Sequence, residues 1–181
     1  MTDEELVAAY LASEDREILE TLIRRNLGRV RRLVYPMVLN HADADDVVQE
    51  VLVRVALGLR AFRREASFST WLGHVAMNTI YQFLARRNRG PRPGLCDLRR
   101  LQAHAATQPE NIVTGKELDA AVTRALSMLA PKLRAAIVWT TFDGASPAEV
   151  AEIEGCTRAT VYWRIHQARK ALKQALRDWL C

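Results

Sequence analysis

The feature that most constrains the fold of this chain is a single break in an otherwise helical pattern. Apolar residues recur at helical spacing along most of the 181 residues, and no sustained alternation typical of half-buried strands appears. Between 89 and 115 the periodicity fades, while glycine and proline accumulate as they do in linkers. The pattern predicts an all-α protein with two small helical domains, 1–88 and 116–181, joined by a flexible linker at 89–115.

Charge and cysteine usage narrow the class of protein. The net charge of +5 suits a polyanionic partner without requiring one. Cys96, Cys156 and Cys181 lie far apart with no histidine at metal-ligand spacing, so we expect neither disulfides nor a metal site. The sequence has no apolar stretch long enough for a membrane span and no signal-peptide pattern, which predicts a cytoplasmic protein. No nucleophile–base constellation or cofactor motif appears, so we expect no enzyme and no cofactor.

The C-terminal domain contains the signature of a helix-turn-helix between 146 and 172. Ser146, Pro147 and Glu149 form a helix start with a capping box. Gly155 can end that helix, and Thr157 can begin a second helix through about residue 176. We therefore predict DNA binding, with the second helix in a major groove.

Helical spacing divides the second helix into two faces. If Val161 is buried, Ile165, Ala168 and Leu172 are buried beside it, and the opposite face is free for DNA. Arginines would contact phosphates, whereas aromatic and imidazole groups are better placed for base edges and thymine methyls. The predicted DNA contacts are Arg158, Thr160, Tyr162, Trp163, Arg164, His166, Arg169 and Lys170. An alternative for Trp163 is packing against a neighbouring helix.

In the N-terminal domain, one predicted helix has an unusual outer face. We expect Asn40 to end the preceding helix and Asp43 to cap a helix from about 44 to 59, with a buried valine stripe. On the opposite face, Val53 and Leu57 lie within an acidic frame, as in a protein-binding surface. We predict that this face docks on a basic partner; a solvated helix without a partner is the alternative.

A third helix, capped by Ser67, carries polar and aromatic groups on the side away from its predicted core. That side holds Thr70, His74, Met77, Asn78 and Tyr81, and the helix ends in Arg86 and Arg87. Stacking, base-edge hydrogen bonds and backbone charge could together hold a single nucleic-acid strand there. Trp71 borders this face and is assigned to the core rather than to stacking.

The order of these motifs resembles a bacterial sigma factor of the extracytoplasmic-function (ECF) group, in the sigma-70 family. The resemblance rests on D-A-D-D-V-V-Q-E at 43–50, S-F-S-T-W-L at 67–72 followed by Asn78 and an arginine run, the linker, and L-A-P at 129–131 before the helix-turn-helix. It covers nearly the whole chain.

The resemblance implies a partner or a role for each surface. The helix at 44–59 would dock on the β′ clamp helices of RNA polymerase core, through Asp45, Asp46, Gln49, Glu50, Val53, Arg54 and Leu57. A melted −10 promoter strand would be held by His74, Asn78, Tyr81, Arg86 and Arg87, with the loop at about 61–67 helping to capture a flipped base. The C-terminal domain would bind the −35 duplex and the β flap. An anti-sigma factor would control the activity of the protein.

Two departures from the family pattern stand out. Tyr162 and Trp163 replace a basic and a small residue, so an inhibitor or the other domain could cover Trp163. Pro36 interrupts a helix that is usually continuous, which predicts a kink or break. Two alternatives to a promoter-specificity subunit remain at this point: a stand-alone helix-turn-helix regulator, and an adaptor that binds only protein through Val53 and Leu57.

Overall fold

The computed structural model describes residues 1–89 and 113–177, and this part of the chain is helical without a strand. The first unit contains α1 (Asp3–Ser13), α2 (Arg16–Val38), α3 (His41–Gly58) and α4 (Phe68–Arg89). The second contains α5 (Val113–Ser127), α6 (Pro131–Ile137), α7 (Pro147–Glu154) and α8 (Arg158–Ala175). α3 continues into a 3₁₀ turn at Leu59–Ala61, and α6 into a π-helical turn at Val138–Phe142. Most of the predicted linker lies outside the described residues.

The connection between α2 and α3 differs from the prediction at two points. Leu39, with φ of 62°, ends α2, and Asn40 caps α3 by accepting a hydrogen bond from the Asp43 N–H at 3.0 Å. Asn40 therefore begins a helix instead of ending one, because its amide oxygen satisfies an N–H that the first turn leaves free. α2 also runs through Pro36, so the break that was one of the two predicted outcomes there does not occur, and the helix ends two residues later.

The helix-turn-helix forms as the sequence predicts. Ser146 Oγ accepts from the Glu149 N–H at 3.2 Å, and Glu149 Oε2 accepts from the Ser146 N–H at 2.7 Å. Gly155 has φ of 60°, a left-handed conformation that costs glycine little, and Thr157 caps α8 through the Thr160 N–H. Val161 and Ala168 are fully buried on the inner face of α8.

The two units share one apolar core. α2 and α3 pack together in the first unit, α6 and α8 in the second, and buried residues of both belong to a single cluster. Trp139, fully buried, lies where α4 meets the second unit. The sequence predicts two separate helical blocks, whereas the structure closes them against each other.

Two features are absent from the described residues, a membrane-spanning helix and a metal site. None of these helices is long and apolar enough to cross a membrane. Among the same residues, no group of three histidine, cysteine, aspartate or glutamate side chains is arranged to hold a metal ion. Of the cysteines, Cys156 is half-buried and free, and the other two lie outside the described residues.

Candidate functional site

The outer face of α8 is open to solvent. Tyr162 is 61% exposed and Trp163 59%, so the first unit does not cover Trp163 in this structure. The other exposed members of the predicted DNA set are Arg158, His166, Arg169 and Lys170. Basic groups that surround adjacent aromatic rings give this face both phosphate-binding charge and flat surfaces for base edges.

Two of the predicted contacts on α8 are engaged elsewhere. Arg164 is largely buried, and its Nη1 lies 3.1 Å from Glu154 Oε2 and 3.8 Å from Cys156 Sγ. Thr160 is half-buried, and its hydroxyl lies 2.9 Å from that of the capping Thr157. In this arrangement Arg164 stabilises the end of α7 and Thr160 supports the start of α8, so neither is presented on the open face.

The outer face of α3, defined by Asp46, Gln49, Val53 and Leu57, is the most exposed apolar surface of the first unit. Val53 is 56% exposed and Leu57 77%, whereas Val47, Val51 and Val55 are buried on the other side of the same helix. Asp46 and Gln49 are exposed two turns and one turn before Val53, respectively. Two large apolar side chains held out of the core beside acidic and amide groups form a surface suited to a protein partner.

The remaining predicted residues of α3 have partners within the first unit. Glu50 Oε1 accepts from Arg54 at 2.6 Å, and Glu50 Oε2 accepts from Arg86 at 3.0 Å. Asp45 accepts from the hydroxyl of Tyr35, and this hydrogen bond is the largest cause of the raised pKa of Tyr35. Arg86, predicted to hold a DNA strand, thus extends the charged edge of the α3 face.

The predicted strand-binding face of α4 is only partly open. Asn78 is exposed and His74 half-buried, but Met77 and Thr70 are buried. Tyr81 donates its hydroxyl proton to Glu154 of α7, and burial is the main cause of its raised pKa. Arg87 lies 3.8 Å from Asp43. The expectation that Met77 and Thr70 face away from the core is wrong. Met77 packs against the second unit, where its Sδ accepts from Trp139 Nε1 at 3.4 Å, and Thr70 is buried with its hydroxyl 3.0 Å from Ser67 Oγ.

The polar centre of the contact between the units is Glu154. Its side chain is 1% exposed, and its Oε2 lies 2.7 Å from Lys132 Nζ and 3.1 Å from Arg164 Nη1. The Lys132 ammonium also lies 4.1 Å from the centre of the Tyr81 ring. Two cations and a phenol therefore compensate the buried carboxylate, as burial of a charge requires.

Two further polar contacts join α2 to the second unit. Arg29 forms a bidentate pair with Asp143, with Nε–Oδ1 at 2.8 Å and Nη2–Oδ2 at 2.7 Å, and it also donates to Ser69 Oγ at 2.9 Å. The buried Arg134 donates to the Met37 carbonyl at 2.8 Å, and burial lowers the pKa of Arg134. Such charge-assisted bonds fix the relative placement of the units.

A cavity of about 160 Å³ lies beside the loop between α3 and α4. Its lining combines α1 and α4 residues with loop residues, namely Glu4, Val7, Phe62, Arg64, Ala66 and Phe68. Trp71 stacks near Phe62, with ring centres 5.1 Å apart, which supports its assignment to the core. The predicted loop at about 61–67 thus has a recess next to it, although Asn78 is not among the residues that line it.

The residues that join the units were not predicted from the sequence, although two of them carry signals there. Gly73 lies inside α4, where glycine disfavours a helix, and a Cβ there would lie 2.7 Å from Ile153 Cδ1. Glu154 places a negative charge at the C-terminal end of α7, where the helix dipole is unfavourable without a cation. Both signals indicate a close partner, but neither identifies it.

The chain matches two family profiles, one on each unit. "Sigma-70 region 2" matches residues 22–90, and "Sigma-70, region 4" matches residues 119–172. Among curated proteins, it is 33% identical over 181 residues to an ECF RNA polymerase sigma-E factor of Escherichia coli, covering 95% of this chain and 93% of that protein. It is 30% identical over 175 residues to an RNA polymerase sigma-H factor of Pseudomonas aeruginosa, covering 92% and 90%.

Solved structures share the fold at lower identity. One is CnrH in complex with the cytosolic domain of CnrY, with a TM-score of 0.71 and 23% identity over 98% of this chain and 99% of that one. Another is the sigma factor RpoE in complex with the anti-sigma factor NepR from Bartonella quintana, with a TM-score of 0.67 and 23% identity over 87% and 96%. Both similarities extend over the two units.

Proposed function

Since the chain belongs to the ECF group of the sigma-70 family of RNA polymerase sigma factors, we propose that it directs core polymerase to promoters through three separate surfaces. The α3 face docks on polymerase, the α4 face holds the melted −10 strand, and the α8 face reads the −35 duplex. Polymerase performs the chemistry, in the cytoplasm, and this chain supplies binding and specificity.

The observation that best supports polymerase docking is the exposure of Val53 and Leu57 on α3. Val53 is 56% and Leu57 77% exposed, so both leave apolar surface in contact with water. A docking partner would cover this surface and exclude the water. Asp46 at the edge of the face would pair with basic residues of the clamp helices in β′. The flap of β is the corresponding partner of the second unit.

The α8 face supports duplex binding through charge and shape together. Arg158, Arg169 and Lys170 are exposed around Tyr162 and Trp163, so phosphate contacts can fix the helix in the groove while the rings meet base edges. Arg164 is left out of this set because Glu154 holds it. For the −10 strand, Asn78, Arg86 and Arg87 are the exposed members of the predicted set on α4, and the cavity at the neighbouring loop offers room for an unstacked base.

Run-off transcription tests this function directly. Core polymerase would be incubated with a genomic promoter library, with and without the full chain, and initiation should require the chain. Binding of the chain alone to palindromic duplex DNA, with no initiation at any promoter, would instead support a stand-alone regulator. A chain that binds no DNA at any salt concentration, yet still binds protein, would support the adaptor alternative.

We further propose control by an anti-sigma partner. The similar solved structures are complexes, one of CnrH with the cytosolic domain of CnrY and one of RpoE with the anti-sigma factor NepR. A regulator that blocks polymerase docking must cover the α3 face. It should therefore compete with core polymerase for the chain, and a substitution at Val53 should weaken both complexes. Simultaneous binding of regulator and polymerase would contradict this proposal.

A further inference from the structure

The start of α8 presents an aromatic patch to solvent. Its first two turns, residues 158–165, expose Arg158, Ala159, Tyr162 and Trp163. At about 100° per residue, Ala159 and Trp163 point almost directly away from the buried Val161, and Tyr162 lies beside them. A recognition helix contacts base edges mainly through its N-terminal residues. Ala159, Tyr162 and Trp163, here called the α8 aromatic patch, therefore occupy the surface that would enter a major groove.

The arginines of α8 lie away from this patch. Arg158 and Arg169 are exposed, but both lie within about 80° of Val161, on the flank of the helix where phosphates would pass. The side chain of Arg164, in the second turn, is 16% exposed, and its Nη1 lies 3.1 Å from Glu154 Oε2. Arginine paired with guanine is the commonest specific contact to a base, and the patch has no guanidinium to make it.

Glu154 holds Arg164 in place because the carboxylate is buried. The Glu154 side chain is 1% exposed, and Lys132 and Arg164 are the two cations that contact it. If Arg164 turned toward DNA, the buried carboxylate would lose one of these cations, which is unfavourable for a buried charge. Lys170 also lies on the outer face, but two turns after Trp163 and beyond the N-terminal part of the helix.

The chemistry of the patch suits thymine. In the major groove an A·T pair presents the C5-methyl group of thymine, which apolar side chains contact favourably. A G·C pair presents two acceptors and one donor there, without a methyl group. Covering that pair with aromatic rings would remove polar groups from water without giving them hydrogen-bond partners, which carries a free-energy penalty.

We propose that the α8 aromatic patch selects A·T pairs in the −35 element through the methyl groups of thymine. This inference rests on the proposed binding of the −35 duplex by α8, and it specifies which base pairs that surface prefers. Ala159, Tyr162 and Trp163 determine the specificity, whereas Arg158 and Arg169 position the helix through phosphates.

Site selection on the complex of core polymerase with the full chain tests the preference. A promoter from which this complex initiates would be randomised across its −35 element, and the bound duplexes would be sequenced. A·T pairs should be enriched over G·C pairs by about tenfold where the patch contacts the groove. Trp163→Arg places a guanidinium on the outer face and should shift the enrichment toward G·C pairs.

Replacement of thymine by uracil isolates the methyl groups. In the selected −35 element it removes every methyl and keeps all hydrogen-bonding groups, so affinity should fall by about tenfold. Trp163→Ala should bind the thymine and uracil duplexes with nearly equal affinity, because the contact is already lost. The matched control is Gln174→Ala, an exposed change near the end of α8, which should keep the full difference.

The outcomes separate this proposal from the function on which it rests. Enrichment of G·C pairs by the unsubstituted chain, or equal affinity for thymine and uracil duplexes, would overturn methyl recognition while promoter binding stands. A difference as large in Trp163→Ala as in the unsubstituted chain would place the methyl contacts outside the patch and would also overturn the proposal. If the complex binds no promoter duplex at all, the proposed function is rejected and this inference with it.

Discussion

The two helices predicted to contact DNA, α4 and α8, differ in what the fold leaves open. The predicted face of α8 is exposed over Tyr162, Trp163 and the basic residues around them. On α4, Met77 is buried and Tyr81 bonds Glu154, while Asn78 stays exposed. α8 buries a single face against its own unit, whereas α4 packs on two sides. Helical spacing identifies one buried face of a helix. It therefore predicts exposure correctly for α8, which packs on one side, and not for α4, which packs on two.

The largest effect expected from this comparison concerns two tryptophans. Trp139→Ala removes a fully buried ring at the contact between the units and should lower the free energy of unfolding by about 3–5 kcal/mol. Trp163→Ala removes an exposed ring on α8 and should change it by less than about 0.5 kcal/mol. Urea denaturation measures both. Equal losses would mean that Trp163 is covered in solution and that the two faces do not differ.

The second prediction concerns α3, whose outer face is exposed like that of α8. Asp46→Arg together with Val53→Asp should weaken binding to core polymerase by about a hundredfold, because it reverses the rim charge and removes an apolar anchor. The unfolding free energy should stay close to that of the unsubstituted chain, since both side chains are exposed.

The matched control for that variant makes the same charge changes at the exposed start of α2, as Glu20→Arg with Thr21→Asp. It should bind polymerase normally in the same pull-down or titration. Unchanged binding by the α3 variant would reject this face as the docking surface, and equal weakening by the control would indicate a general charge effect.

The third prediction tests whether the open face of α8 reads DNA. Tyr162→Ala and Trp163→Ala should each lower affinity for promoter duplex by on the order of tenfold, without loss of the helix. Gln174→Ala, an exposed change near the end of α8, serves as control and should bind normally. Fluorescence anisotropy at fixed salt measures the three. If neither aromatic substitution changes duplex binding, this face contacts only the phosphates of DNA and does not read its bases.

The smallest effect concerns the start of the helix-turn-helix, which supports α8 and not α4. Ser146→Ala should lower the free energy of unfolding by about 1 kcal/mol at pH 7. The hydrogen bonds from Ser146 lower the pKa of the Glu149 carboxyl. Stability from a lowered pKa is present above the unfolded value, about 4.3 for glutamate, and is lost as the pH falls through the folded value.

Denaturation at pH 7 and at pH 3 would follow this loss. The difference between the unsubstituted chain and Ser146→Ala should shrink at the lower pH, as Glu149 becomes protonated. Ser127→Ala provides a control, because that hydroxyl donates to a carbonyl at the end of α5 and caps no N–H. A difference that stays constant with pH would show that the carboxylate takes no part in this cap.

Much of the local structure could be predicted from the sequence because its causes are local. Ser146 and Thr157 accept hydrogen bonds from the N–H three residues further on, and Gly155 takes the left-handed conformation that ends α7. The two helices of the helix-turn-helix were therefore predicted correctly. The exposure of Val53 and Leu57 also followed from helical spacing, because α3 buries one continuous valine stripe. The cap between α2 and α3 was assigned wrongly because Asn40 and Asp43 are both capable of capping.

The sequence alone determined the helices, the helix-turn-helix and, through the order of its motifs, the sigma-70 family. Only the tertiary structure decided how the two units meet. Gly73 lies 66 residues before Trp139 and 81 before Glu154, on the other side of the linker. No periodic pattern relates side chains at that separation. Their pairing depends on shape and on a buried charge that finds its partners only in three dimensions. For this reason Met77 and Tyr81, which the sequence pattern places on an open face of α4, are covered by the second unit in the folded protein.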